Sequence, residues 1–153
     1  MGYIDKNLMK GEKIVYQSRL HWAVFIWPVI FLIVGVLFVA AGNVSVVVGI
    51  LFIIAAMLIG LSSLINYYTS EFGVTSKRVL VKVGFIRRHS FELLLAKVEG
   101  IGVVQGVLGR ILGYGTIIVT GTGGSKEPFS MIDTPFEFRK HVQEQIAAIQ
   151  ESK

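Results

Sequence analysis

No cysteine occurs among the 153 residues. That excludes disulfides, thiolate metal sites and a lipid anchor built on a cysteine. Charge is also scarce: Asp, Glu, Lys and Arg make up 16% of the chain, against about 25% in an ordinary soluble domain. It is missing altogether from Leu20 to Ser70. A soluble core segment of that length needs a polar face, so the stretch reads as lipid-facing. Catalytic groupings are absent too. His21, His89 and His141 lie in three separate segments, and no HExxH, GxSxG or paired-carboxylate arrangement occurs. The expectation is a protein that is not an enzyme and takes no cofactor or metal.

What is present is hydrophobic residues, 53% of the total. They concentrate in two uncharged runs, Ala23 to Gly42 and Val44 to Ile65. Each is close to the ~20 residues that cross a bilayer core as a helix. A mixed segment precedes the first run, and that run exceeds the ~7–15 residues of a signal-peptide core, so a cleavable signal is not expected. Gly42-Asn43 is the one turn signal between the runs, which predicts an antiparallel hairpin over residues 22–66. Lys6, Lys10, Lys13 and Arg19 lie before it, Lys77, Arg78, Lys82, Arg87 and Arg88 after it, and the turn has no Lys or Arg. The positive-inside rule then puts both termini in the cytoplasm, in a multi-pass protein of the cell membrane. Trp22, Trp27, Tyr67 and Tyr68 stand where the headgroup layer favours amphipathic rings. Gly35, Gly42, Gly49 and the Ala56/Gly60 pair have the small side chains that allow close helix approach, either within the hairpin or between copies in a homo-oligomer.

Beyond the hairpin the pattern changes to alternation, and residues 67–153 are expected to form a cytoplasmic α+β domain. Arg78 to Val83 places valines on one face and Arg78 with Lys82 on the other, the period-2 mark of a half-buried strand. Phe91, Leu93 and Leu95 alternate in the next strand. Val98 to Gln105, Thr116 to Thr120 and Pro128 to Met131 are further strands, and Tyr67 to Val74 is expected to start the sheet. Gly121 to Lys126 lacks the spacing of a phosphate loop and reads as a hairpin tip. A final helix is predicted from Thr134 as N-cap, Pro135 at the first helical position and Glu137 closing a capping box. Phe138, Val142, Ile146 and Ile149 give it one apolar stripe.

The run from Val107 to Val119, with Leu108-Gly109-Arg110 and Leu112-Gly113-Tyr114-Gly115-Thr116 at its heart, resembles the signature of the bacterial membrane-anchored pleckstrin-homology-like family. Thr75-Ser76-Lys77-Arg78, the turn at Gly84 and Gly11-Glu12 are similar to the same family. The resemblance implies a PH-like, strongly bent antiparallel sheet of seven strands closed by a C-terminal helix. Six strands follow the hairpin, and Ile14 to Arg19, within residues 1–21, is the candidate for the seventh.

The implied function is a membrane-anchored module that docks a protein partner or anionic lipid headgroups at the inner leaflet; self-association into a structural assembly is the alternative. Candidate lipid- or partner-binding residues are Lys77, Arg78, Lys82, Arg87, Arg88 and Arg110, although a basic cluster also serves topology and solubility. Nucleic acid is not expected, because no basic strip interleaved with aromatics occurs in the polar part. Within the signature, Leu108, Ile111 and Leu112 at i, i+3 and i+4 predict one helical turn capped by Gly113. The expectation is that these side chains plug the sheet; the other reading is that the turn stands proud with Arg110 beside it.

Overall fold

The computed structural model describes residues 3–42, 45–84 and 89–151. In chain order the elements are α1 (Tyr3–Lys6), β1 (Ile14–Arg19), α2 (Ile26–Ala40), α3 (Ser45–Thr69), β2 (Glu71–Thr75), β3 (Arg78–Val83), β4 (His89–Leu94), β5 (Val98–Val104), α4 (Val107–Leu112), β6 (Tyr114–Gly121), β7 (Lys126–Asp133) and α5 (Pro135–Glu151). Two compact units result: Met1–His21 together with Thr69–Lys153, and Trp22–Tyr68.

The first unit holds seven strands in two antiparallel sheets, ordered β1-β2-β3-β4 and β5-β6-β7. A bridge between Leu20 and Ile132 ties one sheet to the other. Ile14 to Arg19 is indeed the seventh strand; it pairs with β2 from Ile14 opposite Thr75 to Arg19 opposite Glu71. The chain therefore leaves and re-enters this unit at two neighbouring strands. Alternation supplies the core: Phe72, Val74, Val79 and Val81 from the first sheet and Ile117, Val119, Phe129 and Ile132 from the second are buried. Phe129 meets Phe91 and Phe72 ring to ring, at centroid distances of 5.4 and 6.4 Å. Phe138 and Val142 of the predicted stripe close this core from α5, while Ile146 and Ile149 stay half-buried.

Three local expectations change. The strand expected from Tyr67 begins at Glu71, because α3 continues through Tyr67 and Tyr68 to Thr69. Leu95, expected in a strand, opens a short 3-10 turn, Leu95–Lys97. The capping box is not formed. Thr134 has φ +47, which turns its hydroxyl away from the first helical N–H groups and onto the Tyr16 hydroxyl at 2.8 Å. Its carbonyl accepts the Glu137 N–H at 3.1 Å instead. The run from Gly121 to Lys126 is the β6–β7 hairpin tip, with Gly123 and Gly124 at positive φ.

The second unit is the pair α2 and α3, preceded by a 3-10 turn at Trp22–Phe25. Trp22–Ala40 and Ser45–Thr69 are each long and apolar enough to cross a membrane. Asn43 and Val44, at the turn between them, lie outside the described residues. Gly35 and Gly49 face each other so closely that a Cβ on either meets the other's carbonyl oxygen at 2.9 or 2.7 Å. Gly35 and Gly49 are thus used inside the pair, with Ala56 buried as well.

Candidate functional site

Alternation put Arg78 on the open face of β3, yet it is buried. The reason is the segment before β1. From α1 onward it lies over the outer face of β2 and β3, where Ile4 is fully buried and a Cβ on Gly73 would meet Ile4 Cδ1 at 2.6 Å. The Ile4 N–H donates to Glu71 at 3.1 Å. Glu12 then turns inward, and Arg78 donates to it with Nε at 3.0 Å and a terminal nitrogen at 3.1 Å. Arg78 also donates to Glu92 and to the Asn7 carbonyl. Glu12 also accepts from the Thr75 hydroxyl at 2.6 Å and from the Met9 N–H at 2.7 Å. Burial pushes the Glu12 carboxyl up, but the hydrogen bonds from Arg78, Met9 and Thr75 together outweigh it and hold it below the ordinary carboxylate value. The same hydrogen bond from Arg78 to Glu12 leads in raising the guanidinium above its ordinary value, against burial. Four of its five N–H donors are taken by two carboxylates and a carbonyl, and the side chain is buried, so Arg78 leaves the candidate set.

The signature segment forms the predicted turn. α4 spans Val107–Leu112, and Gly113 caps it at φ 88 with its N–H on the Gly109 carbonyl at 2.8 Å. Each glycine has a geometric duty. A Cβ on Gly109 would meet the Tyr114 carbonyl at 2.6 Å, and one on Gly115 would meet the Gln105 side chain at 2.8 Å. The Gln105 amide donates to the Tyr114 carbonyl at 2.9 Å. The plug expectation, however, fails. Leu108 and Ile111 are 61% and 73% exposed, Val107 and Val104 79% and 57%; Leu112 alone of the three is half-buried. The reason is that the sheets already close on Ile117, Val119 and Phe129, and the backbone contact at Gly109 fixes the turn outside them. Arg110 projects from this turn, exposed.

The family model for the bacterial PH domain matches residues 28–146, well over half of the chain. The chain belongs to the bacterial PH domain family. No curated protein matches it. Among solved structures, the Vps36 N-terminal PH domain is similar at 14% identity and TM-score 0.49, over 94% of this chain and 86% of that one. A likeness of that size bears on nothing further.

In this bacterial PH domain the sequence-predicted cations among the described residues do not converge. Lys77 is exposed in the β2–β3 turn, its ammonium donating to the Lys10 carbonyl at 3.2 Å. Lys82 lies at the far end of β3, half-buried and in register with Glu71. Arg110 belongs to α4, beside the other sheet. Arg87 and Arg88 lie outside the described residues. Among the described residues no three His, Asp or Glu side chains gather as a metal site would require. Sequence reasoning missed Glu12 as the partner of Arg78. The signal was present in the family-like pieces Gly11-Glu12 and Thr75-Ser76-Lys77-Arg78, whose members meet in one buried ion pair.

Proposed function

We propose that the protein is a non-enzymatic binding module whose PH domain is anchored at the inner face of the cell membrane by the α2–α3 hairpin, and which docks a protein partner or anionic lipid headgroups there. The observation that carries this reading is the uncovered apolar surface of the helix pair: Leu37, Leu51, Met57 and Leu58 are exposed along helices without a single charge. A core helix of a soluble protein would hide such residues. Trp22 and Trp27, both exposed, suit the headgroup layer. Lys and Arg flank the hairpin and are missing from its turn, which supports cytoplasmic termini. Tethering raises the effective concentration of anything at the membrane surface, so a weak site on the domain suffices. Lys77, Lys82, Arg110 and the Arg87-Arg88 pair are the residues offered to anionic groups. Self-association of the hairpin has less support, since Gly35, Gly49 and Ala56 are covered within it.

The test is extraction and topology together. The protein should stay in the membrane pellet under alkaline carbonate. A reporter active only outside the cytoplasm should be silent when fused after Lys153 and active when inserted at Asn43. Release by carbonate, or the reverse reporter pattern, overturns the anchored reading.

A further inference from the structure

The α4 turn combines rigidity, exposed apolar side chains and one cation. Gly109, Gly113, Gly115 and Gln105 lock its backbone against β6, so the turn is built and not a slack loop. Leu108, Ile111 and Val107 nevertheless stay mostly outside the protein, next to exposed Arg110. From Gly100 to Ile132 the only acidic residue is Glu127, in β7. A monomeric soluble domain gains nothing from presenting three aliphatic side chains on a rigid turn.

Its position is equally telling. Tyr114, directly after the Gly113 cap, has its ring 5.4 Å from that of His21. The His21 N–H donates to the Met131 carbonyl at 2.7 Å, and the Thr134 N–H donates to the Gly113 carbonyl at 3.2 Å. His21 is the last residue of this unit before the first apolar helix. The turn, only about 9 Å long, thus stands beside the point where the chain leaves the domain.

We propose that α4 is an interfacial wedge: Leu108, Ile111 and Val107 enter the boundary between headgroups and acyl chains, and Arg110 binds the phosphate of an anionic lipid. Apolar side chains beside a cation are what an anionic bilayer surface binds. The wedge rests on the anchored reading, which supplies the surface, and adds a second contact that fixes how the domain stands on it.

The absence of cysteine makes the test direct, since one introduced thiol carries one label. Leu51→Cys, Leu108→Cys and Ser125→Cys would each be labelled with an environment-sensitive fluorophore in the full chain, reconstituted in nanodiscs of phosphatidylcholine and phosphatidylglycerol. Nitroxide lipids quenching at the acyl-chain centre should quench Leu51, and those quenching near the headgroups should quench Leu108. The exposed hairpin tip at Ser125 should report neither. Arg110→Gln should lower the docked-to-undocked ratio read at position 108 about fivefold in anionic discs and leave it unchanged in pure phosphatidylcholine. An unquenched Leu51 overturns the anchored reading and the wedge with it. A quenched Leu51 beside a Leu108 as unaffected as Ser125 overturns the wedge alone. A blue-shifted Leu108 that lipid nitroxides do not quench shows burial against protein, a second copy or a partner, and overturns the wedge as well.

Discussion

Replacing Glu12 with Gln is the sharpest perturbation of the buried ion pair. The side chain keeps its shape but loses its charge, leaving the Arg78 guanidinium, itself almost fully buried, with only the half-exposed Glu92 as counter-ion. Breaking one partner of a buried pair typically costs about 3–5 kcal/mol. Glu92 and the Asn7 carbonyl remain on Arg78, which places the expected loss near the lower bound, about 3 kcal/mol, or a fall in melting temperature of about 10 °C. Arg78→Met combined with Glu12→Gln should be less harmful than the sum of the two single variants by about 2 kcal/mol, because the pair is then removed as a whole. The pH dependence has a definite sign. The folded Glu12 carboxyl titrates below its ordinary value of 4.5, so the native state binds fewer protons than the unfolded one through that window. Its stabilisation is complete above that ordinary value and disappears as pH falls through the lower, folded one; the Gln variant should lack that part of the acid limb. Urea unfolding of the full chain in mild detergent, followed by pulse proteolysis, measures all three quantities. A Glu12→Gln variant within 1 kcal/mol of the parent, with additive single effects and an unchanged acid limb, would refute the idea that this pair pins the N-terminal segment.

Three more predictions concern other parts of the chain. Leu108→Ala and Ile111→Ala should each cost under about 0.5 kcal/mol, while Gly113→Ala, at φ 88, should cost about 1–2 kcal/mol; thermal melts of the full chain separate them, and large losses at Leu108 or Ile111 would restore the plug. In the hairpin, Gly49→Val places a Cβ 2.7 Å from the Val39 nitrogen and should force α2 and α3 apart, whereas Gly60→Ala, whose nearest neighbour is 3.5 Å away, should be neutral; pairwise cysteine crosslinking across the two helices reads the difference. A fragment of residues 71–153 should not fold, because it lacks β1 and Glu12, while residues 1–21 joined by a short flexible linker to 69–153 should show the cooperative unfolding of a sheet in circular dichroism.

Periodicity made much of this architecture legible. The apolar runs, the alternation in β3, β5 and β6, and the stripe of α5 each follow from where side chains must point relative to water. The misreadings share one cause, contacts from residues distant in sequence. Arg78 sits on the face that alternation assigns to solvent, and only the covering segment with Ile4 and Glu12 makes it interior. Thr134 has the right neighbours for a capping box, but the bend out of β7 sets its φ at +47 and Tyr16 takes its hydroxyl. Leu108 and Ile111 look like core by composition; whether a helical turn faces inward depends on the Gly109 contact with Tyr114, which spacing alone does not reveal. Of the candidate cations, Arg110 keeps the exposure expected of it, and Arg78 does not.

The insertion of the helix pair between β1 and β2 bears on how the domain forms. Arg19 and Glu71 are cross-strand neighbours, so this pairing must close an excursion spanning residues 20–70. For a flexible loop of that size the length-dependent part of the closure entropy is about 3.5 kcal/mol. Two antiparallel helices already packed on each other hold their ends about 8–10 Å apart, and most of that cost then falls on forming the helix pair, before any strand has paired. The helix pair therefore serves as a folding template for the sheet. Conditions that separate α2 from α3 should loosen β1 first, and with it the N-terminal segment that shields Arg78.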